Sequence, residues 1–289
     1  MKCILLHNDK IILEQMIGRG AYAETWKARS ANTDAVLAIK VYALPKELER
    51  SAFGEALDHY QQRMAYHHPN LLLPLWYEVT DEKMYIASPF CSKGPLRKYI
   101  GKEMSEEDLW RLIRDIARGL EDLHSHKVVM SRFGQKLSPD NVLISDGGIF
   151  MIDFTANYKL EEILRSYETW PSSGTPIYLA PECFSKDGVR TTATDIWALG
   201  AIVYEVITSD APFEPHGGSA QLQGFEISPL PDAYSKLLRK TIMECLAKNP
   251  QNRPTAGHLA KRAAMQLEYG SLSWPRRIMR RIKYKYNNG

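Results

Sequence analysis

Two glycines and a lysine near the start of the chain have the types and spacing of a phosphate-binding site. Gly18 and Gly20 lie between two predicted strands, and glycine lets backbone N–H groups approach a phosphate because no Cβ is in the way. Lys40 ends an apolar stretch at 37–39, and a lysine inside an apolar strand needs an anionic partner. A plain hairpin turn would explain the glycines alone, so the prediction depends on Lys40.

Two oxygen-bearing side chains further along the chain have the chemistry of a magnesium site. Asp153 follows an apolar strand predicted at 149–152, and Asn141 precedes a strand predicted at 142–144. An Asp-Gly-Gly turn at 146–148 predicts that these strands form a hairpin. Carboxylate and amide oxygens at neighbouring strand ends are hard ligands of the kind that Mg²⁺ prefers.

The first third of the chain, which would position Lys40, is rich in strand signals. Residues 10–42 predict β-hairpins, because short apolar runs are broken by glycines and by an Ala-Asn-Thr-Asp turn. Residues 45–67 follow a proline and contain one glycine, which favours a helix. Residues 71–91 alternate well enough for two more strands.

The remainder of the chain is mostly helical. Apolar residues recur at helical spacing over 109–123, and Ser105 precedes them as a capping residue. A polar stretch at 155–175 is followed by an apolar helix at 194–207 and by amphipathic helices to about residue 268. Strands first and helices afterwards favour two lobes with a cleft between them.

Composition excludes several classes of protein. Of the 289 residues, 44% are hydrophobic and 25% charged, which is the balance of a soluble globular protein and too apolar for a disordered one. The longest apolar run, Ile196–Tyr204, is far shorter than the roughly 20 residues of a membrane helix. The N-terminus lacks the features of a secretory signal. Four scattered cysteines argue against a disulfide framework or zinc site and favour a reducing, cytoplasmic location.

Positive charge is concentrated at the C-terminus. Residues 271–289 contain six basic side chains and no acidic one, and the rest of the chain is mildly acidic. The simplest interpretation, which needs no binding function, is a solvent-exposed tail or a helix packed against the rest of the protein. Such a tail could also bind an anionic membrane surface, a nucleic acid or an acidic protein.

Three further motifs complete an ordered set with those above. They are GTPIYLAPE at 174–182, DIWALG at 195–200 and NPQNRP at 249–254. The set resembles the eukaryotic-type protein kinase superfamily over about residues 8–268, in its serine/threonine form. The resemblance implies an α+β, bilobal protein-kinase fold, with a β-rich N-lobe that has one main helix (1–91), a larger α-helical C-lobe (92–270) and the basic tail (271–289).

The resemblance also implies a role for each matching residue. ATP would lie under the glycines, although the third glycine of the family pattern is Ala23 here, and would contact a hinge of the backbone at Pro89 and Cys91 behind a small gatekeeper, Ser88. The implied nucleotide-binding set is Gly18, Gly20, Ala38, Lys40, Ser88, Pro89 and Cys91. The implied magnesium ligands are Asn141 and Asp153, and the implied structural residues are Asp195 and the pair Glu182 and Arg253.

The catalytic loop departs from the family pattern. The aspartate that accepts the proton of the substrate hydroxyl lies five residues before the asparagine in the family, and that position is Lys136 here. Residues 128–137 contain no Asp or Glu. An ammonium group with a pKa of about 10.4 cannot accept a proton at pH 7. No catalytic residue is therefore expected in this loop. The lysine that follows the aspartate in the family is Ser138 here.

The glutamate that pairs with the strand lysine in the family is also missing. Its position falls on His59, or on Tyr60 with a shift of one residue. Glu55, one helical turn earlier, is the expected substitute, although an exposed helix position would explain it equally well.

These features predict a cytoplasmic pseudokinase of the serine/threonine type that binds ATP and Mg²⁺ weakly. It would act in signalling as a scaffold or allosteric regulator by docking to a protein partner. The alternative is an active serine/threonine kinase with an atypical catalytic loop, in which Asp140 or Asp153 acts as the base. A third hypothesis is a scaffold anchored by its basic tail, which would place the protein at the membrane periphery.

Overall fold

The computed structural model of the protein describes residues 2–48, 50–133, 137–166 and 176–271. The chain forms two compact units, one combining residues 1–99 with 127–176 and the other combining 100–126 with 177–289. The predicted lobe boundary at residue 91 stays a prediction. Apart from its first residue, the predicted basic tail lies outside the described residues. Within the described ranges, no helix is long and apolar enough to cross a membrane.

Among the described residues, the chain begins with four strands, and every regular element after the tenth strand is a helix. The strands are β1 (Lys2–Leu6), β2 (Asp9–Arg19), β3 (Ala23–Ser30), β4 (Val36–Ala43), β5 (Leu71–Leu72), β6 (Trp76–Val79), β7 (Lys83–Pro89), β8 (Gly94–Pro95), β9 (Val142–Ile144) and β10 (Phe150–Asp153). The α-helices are α1 (Arg50–Met64), α2 (Glu106–Ser125), α3 (Tyr158–Ser166), α4 (Thr192–Thr208), α5 (Gly218–Leu222), α6 (Lys236–Cys245) and α7 (Ala256–Ser271). Short 3₁₀ helices lie at Leu96–Tyr99, Met130–Phe133, Pro176–Tyr178, Pro181–Phe184 and Pro250–Asn252.

The first unit contains a six-stranded antiparallel sheet in the order β1-β2-β3-β4-β7-β6, which confirms the predicted hairpins. The strand β1 was not predicted. It joins β2 through His7 and Asn8, whose φ angles of 50° and 58° suit a tight hairpin turn. Leu6 then packs beside Ile11 and Leu13 in one buried cluster of the sheet.

Alternation along β4 decides where Lys40 points. Leu37 and Ile39 are buried in the cluster that contains β1 and β2, and side chains two residues apart share a face of a strand. Lys40 therefore lies on the opposite face, together with Ala38 and Tyr42. The tyrosine is fully buried in a second cluster, while the lysine remains partly exposed.

The predicted helix of this region is confirmed as α1, which covers the second cluster. Ala56 and Tyr60, one helical turn apart, pack against Tyr42 and the strand residue Ile86. The helix α3 also joins this cluster through Leu160 and Leu164. The sequence predicts only a polar stretch at 155–175, so the helix α3 is a correction.

A second sheet in the first unit has the order β5-β10-β9-β8. The predicted hairpin is confirmed, with Phe150 opposite Ile144 and Ile152 opposite Val142. The strand β10 pairs in parallel with β5, which places Asp153 opposite Leu72 at the strand end.

The second unit is helical, as predicted. The amphipathic helix α2 begins at Ser105, whose Oγ accepts a hydrogen bond of 3.1 Å from the backbone N–H of Asp108, as a capping residue does. It packs against α4 and α7. The predicted apolar helix at 194–207 is α4, and Trp197 on this helix is fully buried.

Candidate functional site

A cavity of about 1040 Å³ lies within the first unit. The turn between β2 and β3 forms one wall, and the face of β4 that carries Ala38 and Lys40 forms another. The segment after β7, the ends of β9 and β10, and α3 complete the lining. Gly18, Gly20, Ala38, Lys40, Ser88, Pro89, Cys91, Asn141 and Asp153 all line it. The structure thus brings together every residue that the sequence analysis assigned to nucleotide and magnesium.

Lys40 and Asp153 meet inside this cavity although they are 113 residues apart. The Nζ of Lys40 lies 3.3 Å from Oδ2 of Asp153, and both side chains are 17% exposed. Lys40 also donates a hydrogen bond of 3.1 Å to Oγ1 of Thr155. The anionic partner that an apolar-strand lysine requires is therefore Asp153.

Thr155 holds the other oxygen of Asp153. The backbone N–H and the hydroxyl of Thr155 donate to Oδ1 over 2.9 and 2.6 Å. Burial is the largest influence on Asp153 and raises its pKa. The attraction of Lys40 and the hydrogen bonds from Thr155 together outweigh burial and hold the pKa below its usual value. Asp153 is therefore a charged carboxylate at neutral pH.

The backbone of Asn141 lies directly beside Asp153. The N–H of Asp153 donates to the C=O of Asn141 over 2.8 Å. Because the hairpin sets this pairing, both predicted magnesium ligands end on the same wall of the cavity.

The segment after β7, where the sequence resemblance places a hinge, forms one edge of the cavity. Ser88 pairs with Ala38 across the sheet and is 5% exposed. The C=O of Cys91 accepts a hydrogen bond from Gly94 over 3.0 Å, while the backbone N–H of Cys91 has no partner among the described residues. Burial raises the pKa of the Cys91 thiol to about 11, so the thiol is neutral at pH 7.

Sequence reasoning missed one acidic residue of the cavity, Glu161 on α3. Its Oε1 accepts a hydrogen bond of 2.8 Å from the hydroxyl of Tyr42. Burial raises the pKa of Glu161, and the neighbouring charge of Asp153 adds to the increase. Two signals in the sequence could have predicted this helix. Asn157 is a good N-cap residue, and the apolar residues Leu160, Ile163 and Leu164 follow it at helical spacing.

Comparison with known proteins places the chain in a family. The family model described as "Protein kinase domain" matches residues 11–265. The chain belongs to the protein kinase family. The bilobal α+β class predicted from the sequence is confirmed at the level of this family.

Three kinase relatives illustrate the similarity. The chain is 30% identical over 246 residues to the serine/threonine-protein kinase RUNKEL of Arabidopsis thaliana, an alignment that covers 83% of this chain and 17% of the relative. It is 26% identical to mouse serine/threonine-protein kinase Nek5, covering 95% of this chain and 43% of the relative. It is also 26% identical to the Arabidopsis mitogen-activated protein kinase kinase kinase ANP1, in an alignment that covers 86% of this chain and 38% of the relative. The chain thus spans less than half the length of each of these relatives.

The helix α1 of this kinase domain supplies no carboxylate to Lys40. Glu55, the expected substitute, is exposed on α1 and forms no hydrogen bond or ion pair with Lys40. The side chain of His59 lies outside the described part of the structure. Tyr60, which the shift of one residue places at this position, is fully buried and donates a hydrogen bond of 2.8 Å to the C=O of Thr155.

Asp153 and Asp140, the two acidic candidates for the missing base, both have partners in the structure. Asp153 is engaged by Lys40 and Thr155, as described above. The carboxylate of Asp140 forms an ion pair with Arg97, in which Nη2 of Arg97 lies 3.0 Å from Oδ2 of Asp140. Lys136, at the position of the catalytic aspartate in the family, lies outside the described residues.

The predicted structural residues of the kinase domain lie in the second unit. Arg253 forms a bidentate ion pair with Glu182, over 2.7 and 2.8 Å. Asp195 is buried on α4, and its Oδ2 lies 3.0 Å from Nε2 of His124.

Replacing Glu161 with glutamine should stabilise the domain at neutral pH. A carboxyl group whose pKa is raised on folding favours the folded state below its unfolded pKa, near 4.5, and loses that contribution as pH rises through the folded pKa. Glutamine is neutral throughout, and its side-chain oxygen can still accept the bond from Tyr42. Urea unfolding should therefore show a more stable Glu161→Gln protein at pH 7, with the difference from wild type shrinking below about pH 4.5.

The neighbouring residue Glu162 provides the control, because its side chain is 69% exposed. Glu162→Gln should change stability little at either pH. Equal effects of the two substitutions would contradict the role assigned to burial.

Proposed function

We propose that this kinase domain is a pseudokinase that binds ATP with a divalent cation and acts by docking to a protein partner. One observation supports this most strongly. Lys40, Asn141 and Asp153 line one cavity, whereas a lysine, Lys136, takes the place of the proton-accepting aspartate. A site that keeps its nucleotide contacts and lacks its base can bind without transferring phosphate.

The cavity contains groups that suit each part of ATP. The unpartnered N–H of Cys91 and the C=O of Pro89 would bind the adenine edge, since both residues line the cavity. Lys40 would bind phosphate oxygens, and Asn141 and Asp153 would hold the cation. When bound, Mg²⁺ supplies positive charge that neutralises the phosphates.

The contacts around Asp153 explain why the expected affinity is low. Both of its carboxylate oxygens already accept hydrogen bonds, one from Lys40 and the other from Thr155. Lys40 must turn from Asp153 toward the phosphates, and Asp153 must turn toward the cation. The free energy of these lost contacts reduces the net free energy of binding. Bound nucleotide would then favour one conformation of the domain, which a partner can recognise.

The active-kinase alternative has less support among the described residues. Arg97 donates to both carboxylate oxygens of Asp140, so these oxygens are engaged away from a substrate hydroxyl. The two carboxylate oxygens of Asp153 are engaged by Lys40 and by Thr155. In this proposal the basic tail (271–289), with six basic side chains and no acidic one, docks to an anionic membrane, a nucleic acid or an acidic protein.

Titration with Mg-ATP should raise the melting temperature of the wild-type protein. Lys40→Met should weaken the affinity by about 10-fold or more, because a charge-assisted contact to phosphate is lost. Lys10→Met is a matched control, since Lys10 is exposed on the same sheet and does not line the cavity. Calorimetry at fixed salt concentration would measure each affinity.

A phosphotransfer assay with a generic protein substrate should run in parallel. The proposal predicts no incorporation above background. Incorporation that disappears in both Lys40→Met and Asp153→Ala proteins would instead establish an active kinase. Absence of any Mg-ATP binding would contradict the nucleotide part of the proposal.

A further inference from the structure

The helix α3 forms a fixed wall of the nucleotide cavity. Leu160 and Leu164, one turn apart, are buried against the cluster that contains Tyr42. Asn157 caps the helix by accepting a hydrogen bond of 3.1 Å from the N–H of Leu160, and it donates one of 3.2 Å to the C=O of Ala56 on α1. These contacts turn the adjacent face of α3, which carries Glu161 and Arg165, toward the cavity.

That face presents a cation, Arg165, close to the glycine turn. Arg165 lies one turn after Glu161, and both residues line the cavity. The Nε of Arg165 donates a hydrogen bond of 3.3 Å to the hydroxyl of Tyr22, which belongs to the turn between β2 and β3. The two terminal nitrogens of the guanidinium form no hydrogen bond or ion pair with any described residue.

The other cations of the cavity are engaged or lie elsewhere. Arg19 forms an ion pair of 2.6 Å with Glu24, and Lys40 is bonded to Asp153. The side chain of Lys98 lies beside Gly94, in the segment after β7. The phosphate-binding lysine of the family is replaced by Ser138, so a triphosphate at the glycine turn lacks one expected cation.

We propose that Arg165 binds the terminal phosphates of a nucleoside triphosphate, with Tyr22 positioning its guanidinium. The fork of N–H groups on arginine suits bidentate binding of phosphate oxygens. Glu161, one turn away, attracts the same guanidinium and limits the net positive charge of this wall. The inference rests on the proposed nucleotide binding and assigns α3 a part in it that the sequence motifs do not contain.

The test compares ligands that differ only in phosphate. In the 289-residue protein, Arg165→Gln should weaken ATP binding by about 10-fold or more. Adenosine, which lacks phosphates, should bind with unchanged affinity. Arg165→Lys should restore part of the loss, because it retains the charge without the fork. Lys159→Gln is the matched control, since Lys159 lies on α3 with its side chain 46% exposed and does not line the cavity.

Each result distinguishes this inference from the broader proposal. If wild-type protein binds ATP and Arg165→Gln binds it equally well, this inference alone is wrong. An equal loss of ATP and adenosine affinity would also overturn it, because Arg165 would then act through the shape of the wall. If wild-type protein binds no ATP, the proposed function fails together with it.

A second substitution covers the case in which Arg165→Gln protein does not fold. Tyr22→Phe removes only the hydroxyl that positions the guanidinium. It should weaken ATP binding by about 2- to 5-fold, as expected for one neutral hydrogen bond, and leave adenosine binding unchanged. Unchanged ATP binding would contradict the positioning role.

Discussion

Replacing Arg253 with alanine is expected to lower the free energy of unfolding by about 3–5 kcal/mol, because it breaks a buried ion pair. The side chain of Arg253 is 0% exposed, and that of Glu182 is 15% exposed. Besides its two bonds to Glu182, the guanidinium donates to the C=O groups of Ala193, Ala247 and Lys248, over 2.9, 2.8 and 3.2 Å. All five N–H donors of the arginine are thus satisfied. The alanine variant would leave a buried carboxylate and three carbonyl groups without these donors.

Chemical denaturation followed by circular dichroism would measure this loss. Arg253→Lys should also destabilise, since an ammonium group cannot reproduce the fork of five donors. The control is Arg111→Ala, because Arg111 is 47% exposed and pairs with exposed Glu107 and Asp108 on α2. Surface pairs of this kind contribute about 0–1 kcal/mol. A loss at Arg253 as small as that at Arg111 would disprove the argument.

Replacing Leu160 with alanine is expected to cost about 2–5 kcal/mol of stability, which is the range for truncating a buried leucine. Leu160 is 0% exposed and lies in the cluster that joins α3 to α1 and to the face of β4 that carries Tyr42. A loss of stability of this size would mean that the packing of α3 contributes to the free energy of unfolding of the first unit.

Unfolding by urea would give the stability, and hydrogen exchange would show which amides lose protection. Amides of α3 and of α1 should exchange faster together, because the two helices share the cluster. Lys159→Ala, at an exposed position of the same helix, should have little effect. If Leu160→Ala left protection of α1 unchanged, the two helices would not be coupled.

Local signals made two strands of the site predictable. The apolar run at 37–39 predicted a strand that carries Lys40, and the structure shows this strand as β4, with Lys40 on the face opposite Leu37 and Ile39. The Asp-Gly-Gly turn predicted the hairpin that brings Asn141 beside Asp153. Period-two patterns and turn residues are local signals, so a single sequence contains them.

The partners of these residues were harder to predict. Thr155 lies two residues after Asp153, but only the folded backbone shows that its hydroxyl accepts a bond from Lys40 and donates one to Asp153. Glu55 was expected to approach Lys40, yet the rotation of α1 leaves it exposed and turns Tyr60 inward. The rotation of a helix about its axis depends on tertiary packing, which one sequence does not reveal.

The strand β1 matters when the protein is shortened. The match to the family model starts at Ile11, so a fragment trimmed to the matched range would lose β1 and its core residue Leu6. The backbone groups of β2 that β1 now covers would face solvent as an open edge, a surface to which other chains readily add. Aggregation or low yield of such a fragment would then result from the truncation. The chain that retains β1 is not expected to aggregate for this reason.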